Sequence, residues 1–251
     1  MMLAVDAGNS RIKWGLRHAD GRWTDFGAAS VDELERAYEA WARIPAPRHV
    51  AIANVAGPTM RETVIDLASR WQTELLWVAA AERACGVVND YENPRQLGVD
   101  RWAAAVAAWQ RERRECLVVM AGTATTIDVL DARGVFRGGL ILPGLGLMKR
   151  ALADHTAALT LARGNYRELP RNTADAMESG CIHAQVGAIE RMYRQLPPGA
   201  RCVISGGGAH ALVPHLTMPV VQVEHLVLEG VAALAEEMMR GEGAQGCGSS
   251  C

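Results

Sequence analysis

The chain opens on an apolar run, Met2-Leu-Ala-Val-Asp6, halted by the turn formers Ala7-Gly8-Asn9-Ser10. Polar and apolar positions then alternate through Arg11-Ile-Lys-Trp-Gly-Leu16, so the pattern predicts a β-hairpin. Asp20-Gly21 turns the chain into a further strand, Arg22–Phe26. From Val31 to Trp41 the apolar residues recur at helical spacing, with Ser30 as the expected N-cap and Glu33 three residues later. His49–Asn54 reads as a buried strand, Arg61–Trp71 as a second helix, Leu75–Val78 as a short strand, and Gly98–Glu112 as a long Ala-rich helix.

At Cys116 the pattern begins again. Leu117–Leu130 can be laid on Leu3–Leu16 without a gap, with Leu, Val, Ala-Gly and the final Leu coinciding. A strand broken by Pro-Gly follows (Gly138–Gly144), then helices from Leu147 to His155 and from Thr173 onward, the latter capped by Asn172 or Thr173. Cys202–Ser205 is a buried strand leading into Gly206-Gly207-Gly208 and a helical Ala209–His215. Val220–Val223 is a short strand, and Leu228–Met239 a closing helix. Strands and helices alternate twice over. This predicts a duplicated α/β protein with a cleft between two similar halves, residues 1–115 and 116–240, and a flexible Gly- and Ser-rich tail at 241–251.

Charge and composition narrow the function. With 251 residues, 26 basic against 28 acidic and 49% hydrophobic, the chain has an ordinary globular composition and no basic field for nucleic acid. No apolar run is long enough to span a membrane, and Asp6 breaks the apolar start too early for a secretory signal. The six cysteines form no CxxC pair or metal-ligand spacing, which fits reduced thiols in a cytoplasm. For Cys247 and Cys251 in the tail, and for His18, His155, His183 and His215, the pattern assigns no ligand role. Of the 26 basic residues only Lys13 and Lys149 are lysines. A compact ammonium beside the first glycine turn is the point charge that a phosphate would want.

The candidate chemistry gathers at the turns. Asp6 ahead of Gly8, Asn9 and Ser10 sets a carboxylate beside exposed backbone N–H groups, an arrangement that can cradle phosphate oxygens and hold Mg²⁺, with Lys13 returning on the next strand. An ordinary hairpin would show the same residues. Thr123 offers a hydroxyl in the matching second turn. The loop from Tyr91 to Arg101 enters a helix at Asp100, which reads either as a helix-start acid or as a general base with Arg101 as an anion partner.

Six segments in order carry a resemblance: Asp6–Lys13, Leu97–Arg101, Gly122–Asp128, Gly139–Gly144, Asn172–Gly180 and Ser205–Gly207. They are similar to the motifs of the type III pantothenate kinases, and the likeness runs over residues 2–235. The resemblance implies duplicated ribonuclease H-like domains of the acetate and sugar kinase/Hsp70/actin superfamily. It implies ATP-dependent phosphorylation of pantothenate to 4′-phosphopantothenate, the first step of coenzyme A synthesis, by a cytoplasmic homodimer. Carried over by motif, Asp6, Ala7, Gly8, Asn9, Ser10, Arg11, Ile12, Lys13 and Thr123 would bind ATP, with Mg²⁺ on Asp6. Tyr91, Gly98, Val99, Asp100, Arg101 and Thr173 would bind pantothenate, with Asp100 as the base.

One position departs from the pattern. The family's second hairpin carries an Asp belonging to a site for K⁺ or NH₄⁺, and here Met120 stands there. A thioether is a poor ligand for a hard cation, so the site is expected to be lost. Two other readings of the same residues are an accessory, regulatory binding protein on this fold and a kinase for another small hydroxy acid.

Overall fold

The structure, a computed structural model, describes residues 1–154 and 163–245. His155, Cys247 and Cys251 lie outside the described residues. Strand β1 (Met2–Ala7) is buried at all six positions, as a strand flanked on both sides and covered on both faces must be. It pairs antiparallel with β2 (Arg11–Arg17), which pairs antiparallel with β3 (Trp23–Ser30). On its other side β1 runs parallel to β4 (His49–Asn54), and β4 to β5 (Glu74–Trp77), so the sheet order is β3-β2-β1-β4-β5. Leu3, Val5 and Ala7 point into a core closed by α1 (Glu35–Arg43) and α2 (Pro58–Ala68). Trp41 anchors that core, edge-on to Trp14 at 6.1 Å and stacked on Trp71 at 5.6 Å. Alternation sends Met2, Ala4 and Asp6 to the opposite face.

The first helix starts later than its apolar spacing suggested. Ser30 is the last residue of β3, and its hydroxyl accepts from the Asp32 N–H at 3.4 Å in a local turn, so it caps no helix. The helix begins at Glu35 after Leu34. Two short strands, β6 (Arg83–Ala84) and β7 (Val87–Asn89), make a tight hairpin, and α3 (Val99–Glu112) follows, buried along most of its length.

A second sheet repeats the first. Strand β8 (Cys116–Ala121) pairs antiparallel with β9 (Ala124–Leu130), and β9 with β10 (Val135–Pro143), where a bulge sits between Phe136 and Gly138. After α4 (Leu145–Asp154) and α5 (Thr173–Tyr193), β11 (Arg201–Ser205) pairs parallel with β8. The short α6 (Ala209–Leu212) leads to β12 (Val220–Gln222), parallel to β11. The order β10-β9-β8-β11-β12 and every strand direction match the first sheet.

The repeat is not residue for residue. Asp6 pairs with Lys13 across β1 and β2, whereas Met120 pairs with Thr126 across β8 and β9. The second turn is one residue shorter. The gapless overlay therefore holds for β1 on β8 and slips by one on the returning strands, so Thr126, not Ile127, occupies the place of Lys13.

The chain forms two compact units, Met1–Arg111 with His225–Cys251, and Glu112–Glu224. Helix α7 (Leu226–Gln245) follows the second sheet in sequence yet packs on β1 and β4, with Arg17 of β2 bonded to Glu236. It runs past Gly241, where the sequence pattern placed a flexible end.

Candidate active site

In the first unit Asp6 is the penultimate residue of β1, with 8% of its surface exposed. Lys13 Nζ lies 3.8 Å from Asp6 Oδ2. Burial is the largest influence on this carboxyl and pushes its pKa up to about 6; Lys13 opposes that shift and the nearby negative charge of Asp100 adds to it. The turn between the strands is held by Gly8 N–H donating to Arg11 O at 3.0 Å, while Ser10 O accepts from Val31 N–H at 3.1 Å. Asn9 is exposed at its tip. Ala7 and Ile12 point into the core, so only their backbone can reach a ligand, whereas Arg11 is exposed.

The loop before α3 is organised by Asn89, a residue the sequence reading passed over. Its side chain donates to the carbonyls of Ala81 (3.2 Å) and Pro94 (3.1 Å) and accepts from Tyr91 N–H (3.2 Å). Only its place in an Asn-Asp-Tyr turn hinted at this, since Asn favours such side-chain-to-backbone bonds. Asn93 caps the 3-10 turn Pro94–Gln96, and Val99 then starts the helix. Asp100 thus lies in the first turn of α3 and not at its N-cap. Its Oδ1 accepts from Arg101 N–H at 2.8 Å, and a Cβ at residue 98 would sit 2.7 Å from the same oxygen, so Gly98 is what lets the carboxylate fold back. Arg101 is buried, and its Nη1 donates to Tyr91 Oη at 2.8 Å with the guanidinium 5.6 Å from the ring centre. Asp6, Lys13, Asp100, Tyr91 and Arg101 therefore belong to one unit, with Asp6 and Asp100 close enough to feel each other's charge.

In the second unit three glycine turns meet at the end of β8. Gly122 N–H donates to Ala124 O, Gly144 N–H to Thr123 O, and Gly208 N–H to Ala121 O, all within 3.0 Å. Gly206 holds φ at +98°, with the Ala121 carbonyl where a Cβ would be. Thr123 sits exposed at this convergence. Thr173 begins α5, capped by Asn172, whose side chain accepts from Asp175 N–H at 2.9 Å. Beside the turn, Met120 and Thr126 face the same side of the sheet, and the Thr126 hydroxyl is buried without a hydrogen-bond partner. The position opposite Thr126 is thus shaped for an acceptor that a thioether replaces only weakly.

Two sheets that share a core of five strands in identical order, each presenting a glycine turn at the end of the first strand of that core, define the ribonuclease H-like fold of the actin-like ATPases and sugar kinases. The solved structures agree at the level of fold. The chain is similar to the activator of 2-hydroxyisocaproyl-CoA dehydratase from Clostridium difficile with bound ADPNP (TM-score 0.54, 10% identity, covering 100% of this chain and 98% of that one). It is also similar to a Campylobacter jejuni protein conjecturally described as a Baf family transcriptional activator (TM-score 0.62, 19% identity, 95% and 99% covered). Sequence comparison is more specific. The family model for type III pantothenate kinase matches residues 2–195. Type III pantothenate kinases from Aromatoleum aromaticum and Nitrosospira multiformis are 48% and 44% identical over 239 and 242 residues, each alignment covering 94% of this chain, with 98% and 92% of the relatives covered. The chain belongs to the type III pantothenate kinase family. Among the described residues, no helix is long and apolar enough to cross a membrane.

Proposed function

We propose that the chain performs the reaction of its family, transfer of the γ-phosphoryl group of ATP to the primary hydroxyl of pantothenate, with Asp100 as general base. In this reaction the hydroxyl oxygen bonds to phosphorus, the bond from phosphorus to the ADP oxygen breaks, and the hydroxyl proton passes to Asp100. The observation that carries the reading is the pair of carboxylates in one unit. Asp6 stands at a phosphate-type turn, Asp100 stands on the substrate loop, and each lies within the other's field. Asp6 supplies the carboxylate that a hard cation such as Mg²⁺ prefers, and the bound ion would neutralise phosphate charge. Lys13 adds a point charge beside it, and Asn9 and Ser10 offer turn N–H groups and side-chain oxygens. Tyr91 and Arg101 hold each other and frame the pantothenate loop, with Gly98 and Val99 setting its entry into α3. Thr123 contributes to the phosphates and Thr173 to the pantothenate pocket.

The residues at the second hairpin do not fit the monovalent cation expected of the family. K⁺ wants several oxygens, and the Met120–Thr126 pair provides one hydroxyl and a soft sulfur. The enzyme works without that ion. The protein acts as a homodimer through α4, whose Leu147 is 39% exposed, and through Ile141 of β10, 66% exposed. The described cysteines are free thiols, in keeping with a cytoplasmic enzyme. An assay of ADP release with pantothenate and a panel of other hydroxy acids tests the reading. Turnover selective for pantothenate is expected. Preference for another acceptor would make this a different kinase, and no turnover at all would favour an accessory binding protein.

A further inference from the structure

The segment leading into α5 is laced onto that helix at several points, and two of the bonds end on one carboxylate. Asp175 Oδ1 accepts from Asn165 N–H at 2.7 Å, and Asp175 Oδ2 accepts from Asn172 Nδ2 at 2.9 Å. The Asp175 N–H in turn donates to Asn172 Oδ1. One residue therefore pins both ends of the loop 165–172. Between those ends, Arg167 N–H donates to the buried Ser179 Oγ at 2.9 Å, and the Tyr166 ring lies 3.8 Å from that of His215 and 5.4 Å from that of His183. Gly164 completes the clasp, since a Cβ there would lie 2.0 Å from the Ala174 carbonyl oxygen. The donors from Asn165 and Asn172 hold the Asp175 carboxyl below the ordinary carboxylate range, as expected for a group bonded in its charged form.

An N-cap alone needs none of this. Asn172 already satisfies the Asp175 N–H, and a helix start in solvent requires no second strap. The bonds fix the backbone immediately before Thr173 relative to the first two turns of α5. We propose that Asp175 is a positioning residue of the pantothenate pocket, which by closing the loop 165–172 on both sides sets where Thr173 presents its hydroxyl. This rests on the assignment of Thr173 to that pocket. Asp175 touches neither substrate nor the transferring phosphoryl group. Its effect passes through Asn172 and the loop backbone.

Three variants separate the possibilities: Asp175→Ala removes both acceptors, Asp175→Asn keeps one, and Gly164→Ala lifts the strap from the other end. Steady-state kinetics with pantothenate and ATP varied in turn, alongside thermal melts, give the readout. The pantothenate KM is expected to rise about tenfold or more in Asp175→Ala and in Gly164→Ala, and less in Asp175→Asn, because small misplacements of binding groups are costly. The ATP KM should stay within about twofold. A lowered melting temperature with both KM values unchanged in the folded variants would reduce Asp175 to a helix-start residue and overturn the proposal. Thr173→Ala serves as the reference. If it raises the pantothenate KM while the Asp175 and Gly164 variants do not, the clasp fails and the pocket stands. If it leaves that KM unchanged, the assignment of Thr173 fails, and the clasp falls with it.

Discussion

Asp6 and Lys13 are register partners across β1 and β2, yet the ammonium 3.8 Å away does not overcome the burial of the carboxylate. The pKa of Asp6 stands at about 6 against an ordinary 3.8. A raised folded-state value means the folded protein holds this proton more tightly than the unfolded chain. The resulting stability is complete below the ordinary value of 3.8 and is lost as pH rises through about 6. At pH 7 to 8 the ionised Asp6 therefore costs the apo-protein on the order of 3 kcal/mol. Asp6→Asn should raise the melting temperature of the ligand-free protein near pH 8, with the gain shrinking to nothing near pH 4, while use of Mg²⁺-ATP collapses. Melts across that range check it; a uniform loss of stability would contradict it.

Asp100, the proposed base, lies in the first turn of α3 with its carboxylate folded back over Gly98. Asp100→Asn keeps the bond from Arg101 N–H but removes basicity. General-base catalysis contributes roughly 10²–10⁴-fold, so kcat should fall by that order with the circular dichroism spectrum unchanged. Turnover near that of the unaltered enzyme would leave Asp100 with only its structural bond.

Met120 opposite an unpartnered Thr126 hydroxyl predicts cation independence. Exchanging K⁺ for Na⁺ or a bulky organic cation at matched ionic strength should change initial rates by less than about twofold. A tenfold loss, about 1.4 kcal/mol of transition-state stabilisation, would show that other oxygens assemble the site. Met120→Asp gives the Thr126 hydroxyl an acceptor and should be tolerated in folding.

The apolar surface of α4 and β10 predicts self-association. No residue of α4 is buried within the chain, although six of its ten positions are Leu, Met or Ala. Ile141→Glu with Leu147→Glu should shift the protein from dimer to monomer in light scattering. A monomeric parent protein would remove this reading.

Much of the fold was legible because most strands announce themselves, although β6 and β7, two and three residues long, carry no such pattern. Apolar runs ending in Gly turns mark β1 and β8, and β-branched residues followed by glycines mark β11. The shorter second turn was not. The coinciding residues lie mainly on the outgoing strand, and on the return any apolar residue matches any other, so Ile127 fell over Lys13 although Thr126 takes its place. Ser30 looked like a helix cap because a short turn after a strand uses the same side-chain bond. At the site, Asp6, Lys13 and Asp100 stood out by residue type. Asn89 and Asp175 did not, since their importance lies in bonds to backbone groups distant in sequence.

Helix α7 gives the molecule a particular order of assembly. Chains emerge from the ribosome beginning with the N-terminus. β1 is thus made well before the helix that covers it. The middle unit, Glu112–Glu224, is contiguous and is finished while the first sheet still waits for Leu228, Val231 and Ala235 to arrive. Asp6 lies on that waiting strand. A chain clipped before α7 would leave β1, and with it the phosphate turn, without the helix that packs on it, so competence at Asp6 waits on residues more than two hundred positions further along.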